Sequence, residues 1–410
     1  MSLGFEELPD VPGRVTFGMS LIVLILFFLK IYFITSFMLE KKRLYYIDGL
    51  KGICCICICI LHFLLMFIPK GYIGWGCSAE AAENPFNFYF ADFPFSIFTN
   101  GSFALYVFMA LISFIPAYSF FNTGKTDFIA KQACVRYFRF LPMVFVSCII
   151  SALLNRFSLY SFTKFYEATG NSWIYKREMS DYSFSSALYD GLFGGFLHGA
   201  QLISSLWCLH YLFLGSILSY SILLLCEKIK NRIPVYVMLC VFLYAEPVYL
   251  SFLAGIISAD ILCNSKITQK TTKNKIFSVV FLIAALVTGN FPPVMLPSWC
   301  NNIVFYAIGS FFLLISVSCL FADLKLLKSR ILSFLGKESF SIIIVHMLVL
   351  FTINGFLFVY LDSLNINHVF NIALNFFVFT ALSLVFSKLF SMALTPLTNK
   401  LCNFVWSKID

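Results

Sequence analysis

Charge is what this sequence is short of. Only 12% of its 410 residues are Asp, Glu, Lys or Arg, against 60% apolar, whereas soluble globular chains average about 25% charged. With a mean hydropathy of +0.88, a soluble domain is excluded and a polytopic membrane protein follows. Internal repeats, low-complexity tracts and a separate polar domain are also lacking. The first apolar run, Val15 to Leu39, is too long for a signal h-region and follows Glu6, Glu7 and Asp10 rather than basic residues, so it reads as a retained helix. Metal-ligand spacing is missing too. Most of the fourteen cysteines sit in apolar runs, and Cys54, Cys55, Cys57 and Cys59 point around a helix in no recognised metal pattern. They read as small packing residues, and no metal is expected. Cys77 and Cys300 fall in loops on one expected side, but spacing alone does not establish a disulfide.

What is present is a series of apolar spans: 17–38, 49–68, 100–121, 134–154, 200–226, 233–246, 249–263, 276–292, 300–320, 338–360 and 369–390. A crossing needs about 20 such residues, so 233–246 and 249–263, meeting at Glu246-Pro247, are expected to tilt or break. Alternate loops of this arrangement hold 22 of the 29 basic residues, against six on the other side. By the positive-inside rule this predicts an all-α protein of about eleven transmembrane helices, amino terminus outside and carboxyl terminus cytoplasmic. The net charge of +9 thus belongs to topology and not to nucleic acid. The expected division is an extra helix over 1–42, a membrane unit over 43–390 and a cytoplasmic tail over 391–410.

Within the second span, Asp48, Lys51 and His62 share a stripe. At ~100° per residue Lys51 and His62 lie within ~20° of one another, with Asp48 ~40° away and ~16 Å of rise between Lys51 and His62. Polar groups aligned in lipid usually face a bundle interior or wet cavity, which marks a candidate site. Two outer segments, 69–99 and 155–199, are longer than connection requires. Their aromatics, Trp75, Tyr89, Tyr166 and Trp173 among them, suit an interfacial belt first and a carbohydrate face second.

The stretch Tyr46-Ile47-Asp48-Gly49-Leu50-Lys51-Gly52, with His62 eleven residues after Lys51, resembles the opening signature of the acyltransferase-3 family of integral-membrane acyltransferases. Lys51 stands where that pattern has arginine, and lysine lacks arginine's bidentate fork. Further similarity lies in Gly101–Phe114, where Ala110-Leu111 replaces the usual Ser-Gly, in Arg136-Tyr137-Phe138-Arg139-Phe140-Leu141-Pro142, and in Ser205-Leu206-Trp207-Cys208-Leu209. The last element is Leu335-Gly336-Lys337-Glu338-Ser339-Phe340-Ser341 followed by His346. The resemblance covers about 43–390 and implies a stand-alone member without an appended hydrolase domain.

It implies His62 as the catalytic group, with Asp48 and Lys51 beside it. An alcohol needs a base to become a nucleophile at neutral pH, and histidine suits that task. Arg43, Lys51, Arg136 and Arg139 are the expected contacts for the phosphates of acetyl-CoA, a co-substrate rather than a permanently bound cofactor. Trp207, His346 and Ser339 are the expected acceptor contacts. The partners are then an acyl-CoA donor, a polysaccharide or lipid-linked oligosaccharide and membrane lipid, at a bacterial inner membrane.

Blander readings exist for each residue. An intramembrane histidine also serves as a plain interhelical hydrogen bond, Arg136 and Arg139 as topology anchors, His346 and His210 as packing, and Cys59 as packing rather than an acyl carrier. Glu338 reads as the acidic start of a helix, and Glu246 and Asp260 as either substrate contacts or helix ends. A sugar transporter or flippase is the alternative function, although no inverted repeat or acidic relay supports it. A non-catalytic scaffold is the third.

Overall fold

The computed structural model describes residues 44–69, 90, 95–171, 173–174, 182–200, 202–265, 272–290 and 301–409. The span expected at 17–38, Arg43 and the pair Cys77 and Cys300 lie outside the described residues. Among the described residues there is helix and turn but no strand, as lipid requires of a chain that must satisfy its own backbone. The main helices are α1 (Tyr45–Phe67), α2 (Gly101–Thr123), α3 (Asp127–Arg156), α4 (Leu209–Leu225), α5 (Ile233–Leu243) and α6 (Val248–Asn264). They continue with α7 (Thr272–Gly289), α8 (Asn302–Ser316), α9 (Arg330–Val349), α10 (Gly355–Ser363) and α11 (His368–Trp406). A 3₁₀ turn, Ser204–Cys208, leads into α4, and a π-turn, Leu350–Asn354, joins α9 to α10.

Among the described residues seven helical stretches are long and apolar enough to cross a membrane, and three shorter apolar helices accompany them. The short ones include α5 and α6, so the sequence expectation of abbreviated spans around Glu246-Pro247 agrees with the helices that form. Polar caps define several starts: Asn100 accepts from the Phe103 N–H at 2.9 Å, and Ser329 from that of Leu332 at 3.3 Å. Gly124, with φ of 66°, ends α2 in the left-handed conformation.

Two helix pairs set the core. In the first, α2 meets α6 at Gly255, where an added Cβ would collide with the Ala110 carbonyl; Ser113 crosses the same contact to donate to the Phe252 carbonyl at 2.7 Å. In the second, α1 meets α9 through glycines from both sides. A Cβ on Gly49 would strike the carbonyl of Leu327 in the turn leading into α9, one on Gly52 would lie 2.5 Å from the Leu332 carbonyl, and one on Gly336 would strike the carbonyl of Asp48. Small residues let backbones approach in membranes, where dispersion and hydrogen bonds replace a hydrophobic drive. The acidic-Gly-Leu-Lys-Gly and Leu-Gly segments are therefore the two halves of one contact.

Helix α9 begins at Arg330, earlier than the sequence suggests, because Ser329 caps it. Glu338 is therefore not at a helix start, where the sequence reading put it. It lies in mid-helix, buried, and accepts from Lys388 of α11 at 2.7 Å. Asp260 is likewise committed, to Arg232 at 2.9 Å, Tyr236 at 2.7 Å and Asn264 at 2.6 Å. Asn354, Asn371 and Asn375, all fully buried, form a ladder between the π-turn and α11.

Replacing Gly336 by valine should force α1 and α9 apart, at about 1–3 kcal/mol for overpacking. The check is thermal unfolding of the detergent-solubilised protein, with a melting point several degrees below wild type expected. Lys388→Met should strand Glu338 at about 3–5 kcal/mol. Adding Glu338→Gln to that variant should recover much of the loss, measured in the same assay.

Candidate functional site

The stripe of α1 faces α9 along its length. Gly52 packs on Leu332 and Leu335, the Cys55 thiol points to the Ser339 carbonyl at 3.9 Å, and His62 Nδ1 lies 2.9 Å from His346 Nε2. The last two contacts are seven residues apart in each helix and advance in the same direction, so α1 and α9 run parallel at this interface. His346 is fully buried, and its Nδ1 lies 2.9 Å from the Ile342 carbonyl one turn back on its own helix. The ring of His62 is half-buried. A half-buried imidazole backed by a fully buried one keeps one ring nitrogen hydrogen-bonded to that partner.

The segment after α3 folds over this pair. Gly170, with φ of 67°, ends the short helix Phe162–Thr169. The turn brings Asn171 to the end of α1, where its amide donates to the Leu65 and Met66 carbonyls at 2.9 and 2.8 Å. Trp173 follows and lies nearly parallel to the His62 ring, centroids 6.3 Å apart and planes 17° apart. Ser161 secures the start of the segment: its N–H and hydroxyl both donate to the Phe351 carbonyl, at 2.9 and 2.8 Å, inside the π-turn. Part of the long 155–199 stretch thus lines the histidine site, and Trp173 stands beside His62 rather than serving only an interfacial belt.

A polar layer lies nearer the start of α1 and α9. Asp48 is buried against Gly336, Lys51 is half-buried, and Glu338, two residues after Gly336 in α9, pairs with Lys388 of α11. Helix α3 runs alongside, with Phe140 against Phe340 at 4.9 Å and the Ser341 hydroxyl 4.0 Å from the Met143 sulfur. Arg136, a turn before Phe140, is 9% exposed; its guanidinium lies 4.4 Å from the Phe140 ring centre, and its Nε has no hydrogen-bond partner. A buried guanidinium is costly unless its donors are used, and an anion would be one chemical partner for it.

The other expected site residues are spread out. Arg139, three positions from Arg136, is exposed. Ser339 is buried between α1 and α9, and its hydroxyl donates to the Gly336 carbonyl at 3.0 Å. Trp207, 41% exposed, sits in the 3₁₀ turn that packs against α9, and its carbonyl is 2.9 Å from His210 Nδ1. Glu246 accepts from the Tyr211 hydroxyl at 3.1 Å. Among the described residues no cluster of His, Cys, Asp and Glu has the geometry to hold a metal ion.

Sequence reasoning missed the pairing of His62 with His346, the place of Trp173 and the part played by Lys388. One signal for the first was available: Gly52 precedes His62 by ten residues and Gly336 precedes His346 by ten. Two helices that share a glycine contact and the same onward spacing bring their histidines level when parallel. Lys388 was hidden because it lies at the end of an expected span and counted only as loop charge.

Comparison with known proteins gives one match: a family model described as an acyltransferase domain, the third acyltransferase family, fits residues 44–395. Searches of curated proteins and of solved structures found no match. The matched region takes in α1 to α10 with both histidines and the first 28 of the 39 residues of α11, and the chain belongs to the acyltransferase-3 family.

Proposed function

We propose that this protein is a membrane O-acyltransferase that moves an acetyl group from acetyl-CoA to a hydroxyl of a bacterial surface polysaccharide, such as lipopolysaccharide O-antigen, at the inner membrane. The observation that carries the reading is the half-open ring of His62, held from behind by His346 and faced by Trp173. His62 accepts the proton of the sugar hydroxyl as its oxygen attacks the thioester carbonyl. The carbon–sulfur bond then breaks, and the coenzyme leaves as its thiol after taking that proton from His62. Free alcohol and thioester become ester and thiol with nothing left over.

Donor binding falls to the polar layer around Arg136, Lys51 and Asp48, with Arg43 and Arg139 as further basic residues for the phosphates. The ~16 Å of helix between Lys51 and His62 divides the work: cations hold the coenzyme's phosphates while the thioester arm reaches the base. The acceptor approaches from the Trp173 side, where a tryptophan face suits a sugar ring, with Trp207 further round α9. Eleven crossings with the amino terminus outside fit this division. The parallel run of α1 and α9 supports it, since crossings that alternate in direction make those two helices agree.

The test is transfer of label from acetyl-CoA to glycan in membrane vesicles of the native host. His62→Ala should lower transfer by about 10²-fold or more, the usual scale of a general base, with the membrane level of the protein intact. Transfer within a few-fold of wild type would remove the base. Arg136→Ala should raise KM for acetyl-CoA by about 10-fold or more, the worth of a charged hydrogen bond, while kcat changes less; an unchanged KM would take Arg136 out of the donor site.

A further inference from the structure

We infer that His346 is a positioning residue that fixes the tautomer of His62, so that Nε2 of His62 is the atom that accepts the proton. The inference rests on the reading of His62 as the base and says which of its nitrogens works and what holds it so.

The assignment follows from counting protons along one chain of hydrogen bonds. A peptide carbonyl only accepts, so the nitrogen 2.9 Å from the Ile342 oxygen, Nδ1 of His346, carries hydrogen. His346 is fully buried, and no carboxylate pairs with it among the described residues. An unpaired imidazolium there would be costly, so the ring is neutral and has one N–H only. Its Nε2 is therefore a lone pair. That lone pair lies 2.9 Å from Nδ1 of His62, and a hydrogen bond between two ring nitrogens needs one proton. His62 supplies it from Nδ1, which leaves the lone pair of His62 on Nε2.

The arrangement also serves the charged state. When His62 takes a proton at Nε2 it becomes an imidazolium with Nδ1–H unchanged, and the same bond to His346 persists and strengthens with the charge. No ring flip or proton hop is needed. The ring nitrogens are distinct in function because the bond made by one dictates the chemistry of the other. The close glycine contact of α1 and α9 supplies the 2.9 Å spacing, and the bond to Ile342 locks the ring of His346 from its own helix.

The experiment compares His346→Leu, which removes the acceptor, with His346→Gln, whose amide oxygen can take the same proton. Each is assayed in native-host membrane vesicles with labelled acetyl-CoA and normalised to the amount of protein present. His346→Leu should lower kcat by about 10²-fold or more, as loss of a tautomer-setting partner does, with KM for acetyl-CoA within about twofold. His346→Gln should restore kcat to within about fivefold of wild type. Wild-type kcat in His346→Leu, or equal loss in both variants, would overturn the inference. If the leucine protein does not accumulate, His346→Met, of similar bulk and with a poor acceptor, takes its place under the same criteria. A wild-type level of transfer by His62→Ala would instead overturn the base assignment itself, so the two failures are told apart.

Discussion

Backbone-to-backbone contact between α1 and α9 is the constraint on which the rest of the site depends. Gly49, Gly52 and Gly336 leave no room for a β-carbon where the helices meet, and that closeness puts Cys55 on the Ser339 carbonyl and His62 on His346. A helix pair held apart by ordinary side chains, at 8–10 Å between axes, would leave two imidazoles needing longer side chains to meet. The glycines of both motifs are thus positioning elements, although they carry no chemistry themselves.

Around that pair, polar groups buried by the helices are matched rather than merely tolerated. Asp260 takes three donors, Glu338 takes Lys388, and three asparagines tie the π-turn to α11. Each pairing fixes one helix against another where apolar contact alone would be as good with lipid as with protein. Matching is not complete: the Nε of Arg136 finds no partner, and neither does Oδ1 of Asn354 in the asparagine ladder.

Much of this was legible in the chain. Apolar run lengths located the helices, down to the brevity of α5 and α6, because a bilayer fixes the length a crossing must have. The stripe Asp48–Lys51–His62 was visible because helical period alone aligns it. Contacts between distant segments were not visible, since nothing local in Trp173 or Lys388 states what lies across from it. The start of α9 was read eight residues late because Arg330 and Lys337 dilute its apolar signal, whereas Ser329 as a cap marks the true start. His346 was recognised as a motif residue and given an acceptor-binding role; the structure places it against His62, where its neighbour is another ring.

The hold of Asn171 on the last carbonyls of α1 has a mechanical meaning. The strap that carries Trp173 is hitched at one end to the π-turn and at the other to the very helix that carries His62, so the gap between the two rings is spanned by bonds local to that helix end.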